Sequence, residues 1–285
     1  MTILVDTEIV VQFRPKQYRL DLEVADAARR VYGKFAPETK ELTTIISSGL
    51  VVYRMERIKG ISYSDFRDLG QPGSYRAVLC REFALFMSCS WRNRHGATDL
   101  PLARVGKSLA FRLKALCMNL PARFQPRAHY LLEHIHDVES LPWVLTHGDI
   151  IAANIMVNSA NGELQGLVDW AEAERLPFGI CFYGLEEILG EMSPTGFRYC
   201  SNASELREIF WTELVKCIPE LRDDATLRAV KLSRDLGILL WYGIAFDNGN
   251  IDRVVQEGRD VEEIQKLDAF LGSSLEKVVR IQSKL

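Results

Sequence analysis

One stretch constrains this chain more than any other. From Val144 to Gly179 it reads VLTHGDIIAANIMVNSANGELQGLVDWAEAERLPFG. The apolar runs Ile155–Val157 and Leu164–Val168 flank Asn161-Gly162. Both turn residues tolerate positive φ, so the pattern predicts two strands joined as a hairpin. A hairpin of that length returns Asp169 to the side of Asn154. Asp149 stands ahead of Asn154 in the spacing H-x-D-x-x-x-x-N, with His147 at its head. Three polar side chains, Asp149, Asn154 and Asp169, are thus predicted to face one space from an apolar frame.

That constellation suits phosphoryl transfer, which needs a charge-neutralised phosphate chain and an oriented nucleophile rather than covalent help. Protein kinases use the same spacing for a catalytic base and a magnesium ligand. Asn154 and Asp169 are expected to hold Mg2+, a hard cation that takes oxygen ligands and keeps several waters. Asp149 is expected to accept a hydrogen bond from an acceptor hydroxyl and align it, a task that suits a neutral O–H better than an amine. His147 is expected to hold the shape of the loop. H-x-D alone, or Asp-Trp at a strand end alone, recurs by chance. The reading rests on all the pieces coming in order at this spacing.

THGDIIAANIMV followed by LVDWAEAERLPFG resembles the aminoglycoside phosphotransferase family, the broad group that includes choline-kinase-like enzymes, and its continuation resembles the fungal members. The resemblance covers most of the chain and is specific between Trp143 and Gly190. It implies an α+β, protein-kinase-like two-lobe fold, with a truncated β-rich N-terminal lobe (1–58) and a large helical C-terminal lobe (59–285). It also implies ATP-dependent phosphorylation of a small molecule, with Asp149 as base and Asn154 and Asp169 on the metal.

Ahead of this stretch, Glu8 to Arg14 is rich in β-formers and closed by Pro15, so it predicts a strand. In the resemblance it matches the strand that carries the phosphate-contacting lysine of kinases, yet it contains no lysine. Gln12 or Arg14 is left for that role, and Arg14 is permanently charged and forks onto phosphate. A solvated strand-end arginine is the other reading. Leu20 to Phe35 has helical periodicity, closed by Gly33 and Pro37. Glu23 matches the helix glutamate that pairs with the kinase lysine; favourable placement near a helix N-terminus is the alternative. Leu42–Ile46 and Leu50–Arg57 predict two more strands. Their tail resembles the inter-lobe segment of the family, which implies adenine binding at Met55, Glu56 and Arg57.

From Ser64 onward the chain reads as mostly helical, with helices over Tyr75–Trp91, Arg127–Glu139, Phe182–Leu189, Leu206–Cys217, Ala225–Phe246 and Ile264–Ile281. In the resemblance such a lobe holds the acceptor pocket. Trp241, Tyr242, Asp247 and Asn248 are candidates to line it, with packing the equal alternative for the two aromatics.

Composition narrows the function classes. A chain of 285 residues with 47% hydrophobic and 26% charged residues is that of an ordinary globular protein. A net charge of -3 gives no reason to expect nucleic acid or an anionic membrane as partner. No apolar run approaches the ~20 residues that span a bilayer, and MTILVDTEIVVQFRP lacks the pattern of a signal peptide. The six cysteines form no C-x-x-C pair, which points to free thiols in the cytoplasm. The acceptor and the oligomeric state are not legible. The segment Met1–Thr7 contains no glycine, so the Gly-rich turn of kinases has no counterpart in it. Three expectations follow: a longer natural chain, a cover supplied by another segment or subunit, or a degenerate kinase that binds nucleotide without turnover.

Overall fold

The computed structural model describes residues 1–69, 74–247 and 251–282. The chain opens with a four-stranded antiparallel sheet of order β1-β2-β4-β3, formed by β1 (Thr2–Leu4), β2 (Ile9–Pro15), β3 (Thr39–Ile45) and β4 (Leu50–Glu56). The sequence assigned no strand ahead of β2, but Thr2 pairs with Gln12 and Leu4 with Val10. The turn between them is closed by Asp6, whose carboxylate accepts from the amides of Glu8 and Ile9 at 2.7 and 2.8 Å.

Between β2 and β3 lies α1 (Leu22–Tyr32), capped by the Asp21 carboxylate and ended at Gly33. A helix start with Asp at the cap satisfies amides that have no partner within the helix. The inner face of α1 buries Ala27, Ala28, Val31 and Tyr32. That face packs against the following lobe, where Asn93 Nδ2 donates to the Val31 carbonyl at 2.8 Å and Arg30 Nε to the Gly96 carbonyl at 3.3 Å.

After β5 (Ile61–Ser62) come α2 (Tyr63–Asp68), α3 (Ser74–Arg92), α4 (Leu109–Asn119), α5 (Gln125–Glu133) and α6 (Ile135–Glu139). The single helix expected over Arg127–Glu139 is therefore two. The break falls at His134 (φ -108, ψ 17), whose ring nitrogen takes the Tyr130 carbonyl at 2.8 Å. The stretch from Val144 to Gly179, with the residue before it, supplies β6 (Trp143–Thr146), β7 (Ile155–Val157), β8 (Leu164–Leu167) and β9 (Glu174–Pro177). β7 pairs with β8 and β5, and β6 pairs with β9.

The remainder is α7 (Gly184–Leu189), the hairpin of β10 (Gly190–Ser193) and β11 (Gly196–Tyr199), α8 (Ala203–Cys217), α9 (Asp224–Tyr242), the hairpin of β12 (Ile244–Asp247) and β13 (Ile251–Val254), and α10 (Val261–Gln282). The helix expected to run to Phe246 stops at Tyr242. The Gly243 amide still bonds back to Leu239, and the chain then pairs Ile244 with Val254 as a strand.

The hydrophobic core runs without a break from α1 through the helical lobe, with Phe83, Phe86, Phe182 and Phe210 at its centre. All six cysteines are free thiols. Among the described residues no helix is long and apolar enough to cross a membrane.

Candidate active site

β6 delivers His147, Gly148 and Asp149 to the end of the sheet. Gly148 has φ +79, and a Cβ there would come within 2.0 Å of the Glu172 carbonyl oxygen. Only glycine fits both demands. His147 is buried, and its two nitrogens are both engaged: the Asp149 amide lies 3.2 Å from Nδ1, and Nε2 lies 2.9 Å from the Val168 carbonyl. An amide N–H can only donate, so Nδ1 carries the lone pair and Nε2 carries the proton. Burial pushes the imidazole down to about 4, so it is neutral at physiological pH. A neutral imidazole thus ties the Asp149 loop to the strand that leads into Asp169.

The hairpin does what its spacing foretold. Gly162 takes φ +72 in the turn, and Ile155 pairs with Leu167. The Val168 amide donates to the Asn154 carbonyl at 3.0 Å, which sets Asp169 beside Asn154. Asn154 Nδ2 donates both to Asp149 Oδ2 at 2.9 Å and to the Asp149 carbonyl at 3.0 Å. With its nitrogen committed to Asp149, the amide presents its oxygen the other way. Asp169 is the one non-glycine with positive φ among the described residues (φ 62). Aspartate tolerates this region better than most side chains, though a residue held there stores on the order of 1 kcal/mol. Trp170 fastens the corner: its indole N–H donates to the Leu167 carbonyl at 2.9 Å, and its ring packs on His147 and Tyr32.

Asp149 is half-buried, and its carboxyl is pushed up to about 6. Burial is the main cause; Asp169, Glu172 and Glu187 push the same way, and the Asn154 amide opposes them. No cation among the described residues offsets them, and a carboxyl raised toward neutrality in this way can take part in proton transfer.

A cavity of about 430 Å³ opens between the small sheet and the hairpin, lined by Val10 and Gln12 of β2, Val24 and Ala28 of α1, Met55, Glu56 and Arg57 at the end of β4, and Asn154 and Asp169. The backbone amides of Glu56 and Arg57 are already bonded to the carbonyls of Glu38 and Glu8, both at 2.8 Å. Arg14 reaches across from β2, its Nη2 3.0 Å from Asp169 Oδ1 and its Nε 2.8 Å from Gln12 Oε1. The reading of Arg14 as a solvated strand end therefore fails.

Glu23 is placed elsewhere. It is exposed on the first turn of α1, makes no ion pair with Arg14 and does not line the cavity. Asp21 occupies the cap, so the chain turns into the helix with Glu23 facing water. Of the acceptor-side candidates, Trp241 stacks on Tyr183 at 5.0 Å and Tyr242 is buried, donating to Glu187 at 2.7 Å. Asp247 lies in β12, and Asn248 lies outside the described residues. The sequence missed Tyr32, whose hydroxyl donates to the Leu145 carbonyl of β6 at 2.7 Å. No local spacing signals a contact made across 113 positions.

Among the described residues there is no group of three or more His, Cys, Asp or Glu side chains placed to hold an ion. The donor pair here is one acid and one amide oxygen. Such a hard, incomplete set fits magnesium, which keeps waters and takes phosphate oxygens to fill its shell.

The sequence pattern of the phosphotransferase enzyme family matches residues 2–178. Among solved structures, the GDP complex of wild-type aminoglycoside 2'-phosphotransferase-IIIa is 15% identical, with a TM-score of 0.54 over 85% of this chain and 80% of that one. The GDP and kanamycin complex of APH(2")-IIia is also 15% identical, with a TM-score of 0.51 over 85% of this chain and 81% of that one. At such identities the likeness is one of fold, a small sheet lobe on a helical lobe. No curated protein sequence matches the chain.

Proposed function

This chain belongs to the phosphotransferase enzyme family, and on that premise we propose that it moves the terminal phosphoryl group of ATP onto a hydroxyl of a small molecule, with Mg2+ as its metal. The observation that carries the reading is the bond from Asn154 Nδ2 to Asp149 Oδ2, which couples a base to a metal-facing amide beside Asp169.

In this reading residues 1–58 cap the nucleotide and residues 59–285 carry the chemistry and the acceptor. The adenine lies against Met55, Glu56 and Arg57. Since the amides of Glu56 and Arg57 are taken, the backbone donor for the base comes from beyond them, at Ile58. Arg14 serves the phosphates in place of a lysine, offering a planar fork that matches phosphate oxygens. Glu23 has no part. Asn154 and Asp169 hold the metal, which when bound neutralises phosphate charge. Asp149 accepts the hydrogen bond of the acceptor hydroxyl, fixes its direction and takes its proton as the new bond forms. The six free thiols suit the reducing cytoplasm.

The test is phosphoryl transfer from labelled ATP and Mg2+ to a library of small hydroxyl compounds. We expect transfer by the natural protein, and a loss of about a thousandfold in Asp149→Ala, the usual weight of a general base, with ATP binding retained. Undiminished turnover in that variant refutes the role given to Asp149. Nucleotide binding without transfer to any acceptor would mark a degenerate kinase instead.

A further inference from the structure

Arg14 is held on two sides by protein alone. Gln12 Oε1 accepts from its Nε, Asp169 Oδ1 accepts from its Nη2, and the Gln12 amide in turn reaches Thr2 Oγ1 at 3.4 Å. The chain of contacts begins in the small sheet and ends on the acid that follows β8, 155 positions away. The two halves of the ion pair are unequal: the arginine side chain is 18% exposed and the aspartate 47%. The guanidinium is the more buried member, and the carboxylate is the one open to the cavity.

We propose that Arg14 is a latch on the metal-binding acid and that it sets the order of assembly: the metal enters with the nucleotide rather than ahead of it. The inference rests on the reading of Asp169 as a metal ligand. A divalent ion approaching alone meets a permanent positive charge already seated on Oδ1. The two compete for one oxygen and repel each other. A polyphosphate changes the balance, because its oxygens match the arginine fork better than a single carboxylate oxygen does. The guanidinium turns onto the phosphate, Asp169 is released, and the metal finds both its acid and its phosphate ligands together. By thermodynamic reciprocity the metal then tightens nucleotide binding by the same factor.

Mn2+ binding, followed through the paramagnetic resonance of the free ion, tests this without recourse to catalysis. It is measured with and without a non-hydrolysable ATP analogue, for the natural protein, Arg14→Gln and Asp169→Asn, with thermal unfolding to verify that each is folded. Arg14→Gln is expected to bind Mn2+ alone about tenfold more tightly than the natural protein, and the gain brought by the nucleotide analogue shrinks by a like factor, a coupling of ordinary size. Asp169→Asn loses Mn2+ binding in both conditions. An unchanged affinity for Mn2+ alone in Arg14→Gln, with Asp169→Asn defective, overturns the latch and leaves the proposed function standing. Mn2+ binding indifferent to Asp169→Asn overturns both.

Discussion

Two acidic side chains in this molecule meet opposite fates. Asp149 has an amide for a partner and three other carboxylates in range, and its carboxyl is raised to about 6. Glu186, in α7, is fully buried, which by itself would raise its carboxyl as well. Arg234 and Arg207 outweigh burial, Tyr199 donates a further hydrogen bond at 2.7 Å, and the carboxyl falls to about 2. Arg234 continues the chain to Asp235 at 2.6 Å, and Asp235 binds Arg127. Burial, then, does not decide what an acid is for; its neighbours do. The acid with no cation beside it among the described residues is the one proposed for chemistry, and the acid gripped by two arginines is a rivet between α7, α8 and α9.

The comparison breaks if the two acids prove interchangeable in their effects. Asp149→Asn should cost about a thousandfold in transfer while leaving the unfolding midpoint equal or higher, since it removes an unpaired charge. Arg234→Met should do the reverse, costing roughly 3–5 kcal/mol of stability because it strands buried acids, with the metal-side geometry intact in whatever remains folded. Denaturant unfolding and transfer assays on both variants decide the matter; a joint loss of both properties in Asp149→Asn would sink the division.

The acid limb of stability sharpens it. The folded Glu186 carboxyl releases its proton more readily than the unfolded one, at about 2 against 4.5. Its contribution is fully present above pH 4.5 and is lost as the pH falls toward 2, on the order of 3 kcal/mol in all. Glu186→Gln should flatten the fall in unfolding free energy across that window, measured by denaturant titration at successive pH values. A slope unchanged by the substitution would assign acid sensitivity to other carboxylates. The smallest effect is expected at Tyr32. Tyr32→Phe removes the hydroxyl that supports Leu145 but keeps the ring stacked on Phe86 at 4.6 Å. It should cost about 1 kcal/mol, the net worth of one hydrogen bond, and a larger loss of transfer than of stability would place that hydroxyl among the groups that position Asp149.

The Asp149 side of this contrast was legible in the amino-acid order and the Glu186 side was not. Asp149, Asn154 and Asp169 lie within one short stretch, so their spacing and one Asn-Gly turn suffice to bring them together. Arg14 could be named only as one of two readings, since its partner is contributed by another lobe. Glu186 gives no local sign of its role, because Arg207 and Arg234 come from separate helices. The hairpins of β10–β11 and β12–β13 escaped notice for a related reason: at four residues per strand they are too short to show a period. Met55 to Arg57 were placed on the cavity wall by resemblance, although the bonds that occupy the amides of Glu56 and Arg57 could be known only from the fold.

The neutrality of His147 has one further consequence. The bond that ties the Asp149 loop to Val168 joins an uncharged ring to a carbonyl, buried away from solvent ions. The pair between Arg14 and Asp169 is ionic and half open to water. Raising the ionic strength from 0.01 to 1 M shortens the screening length from about 30 to about 3 Å. Salt therefore loosens one fastening and spares the other, and the same site has a floor indifferent to its medium under a clasp that responds to it.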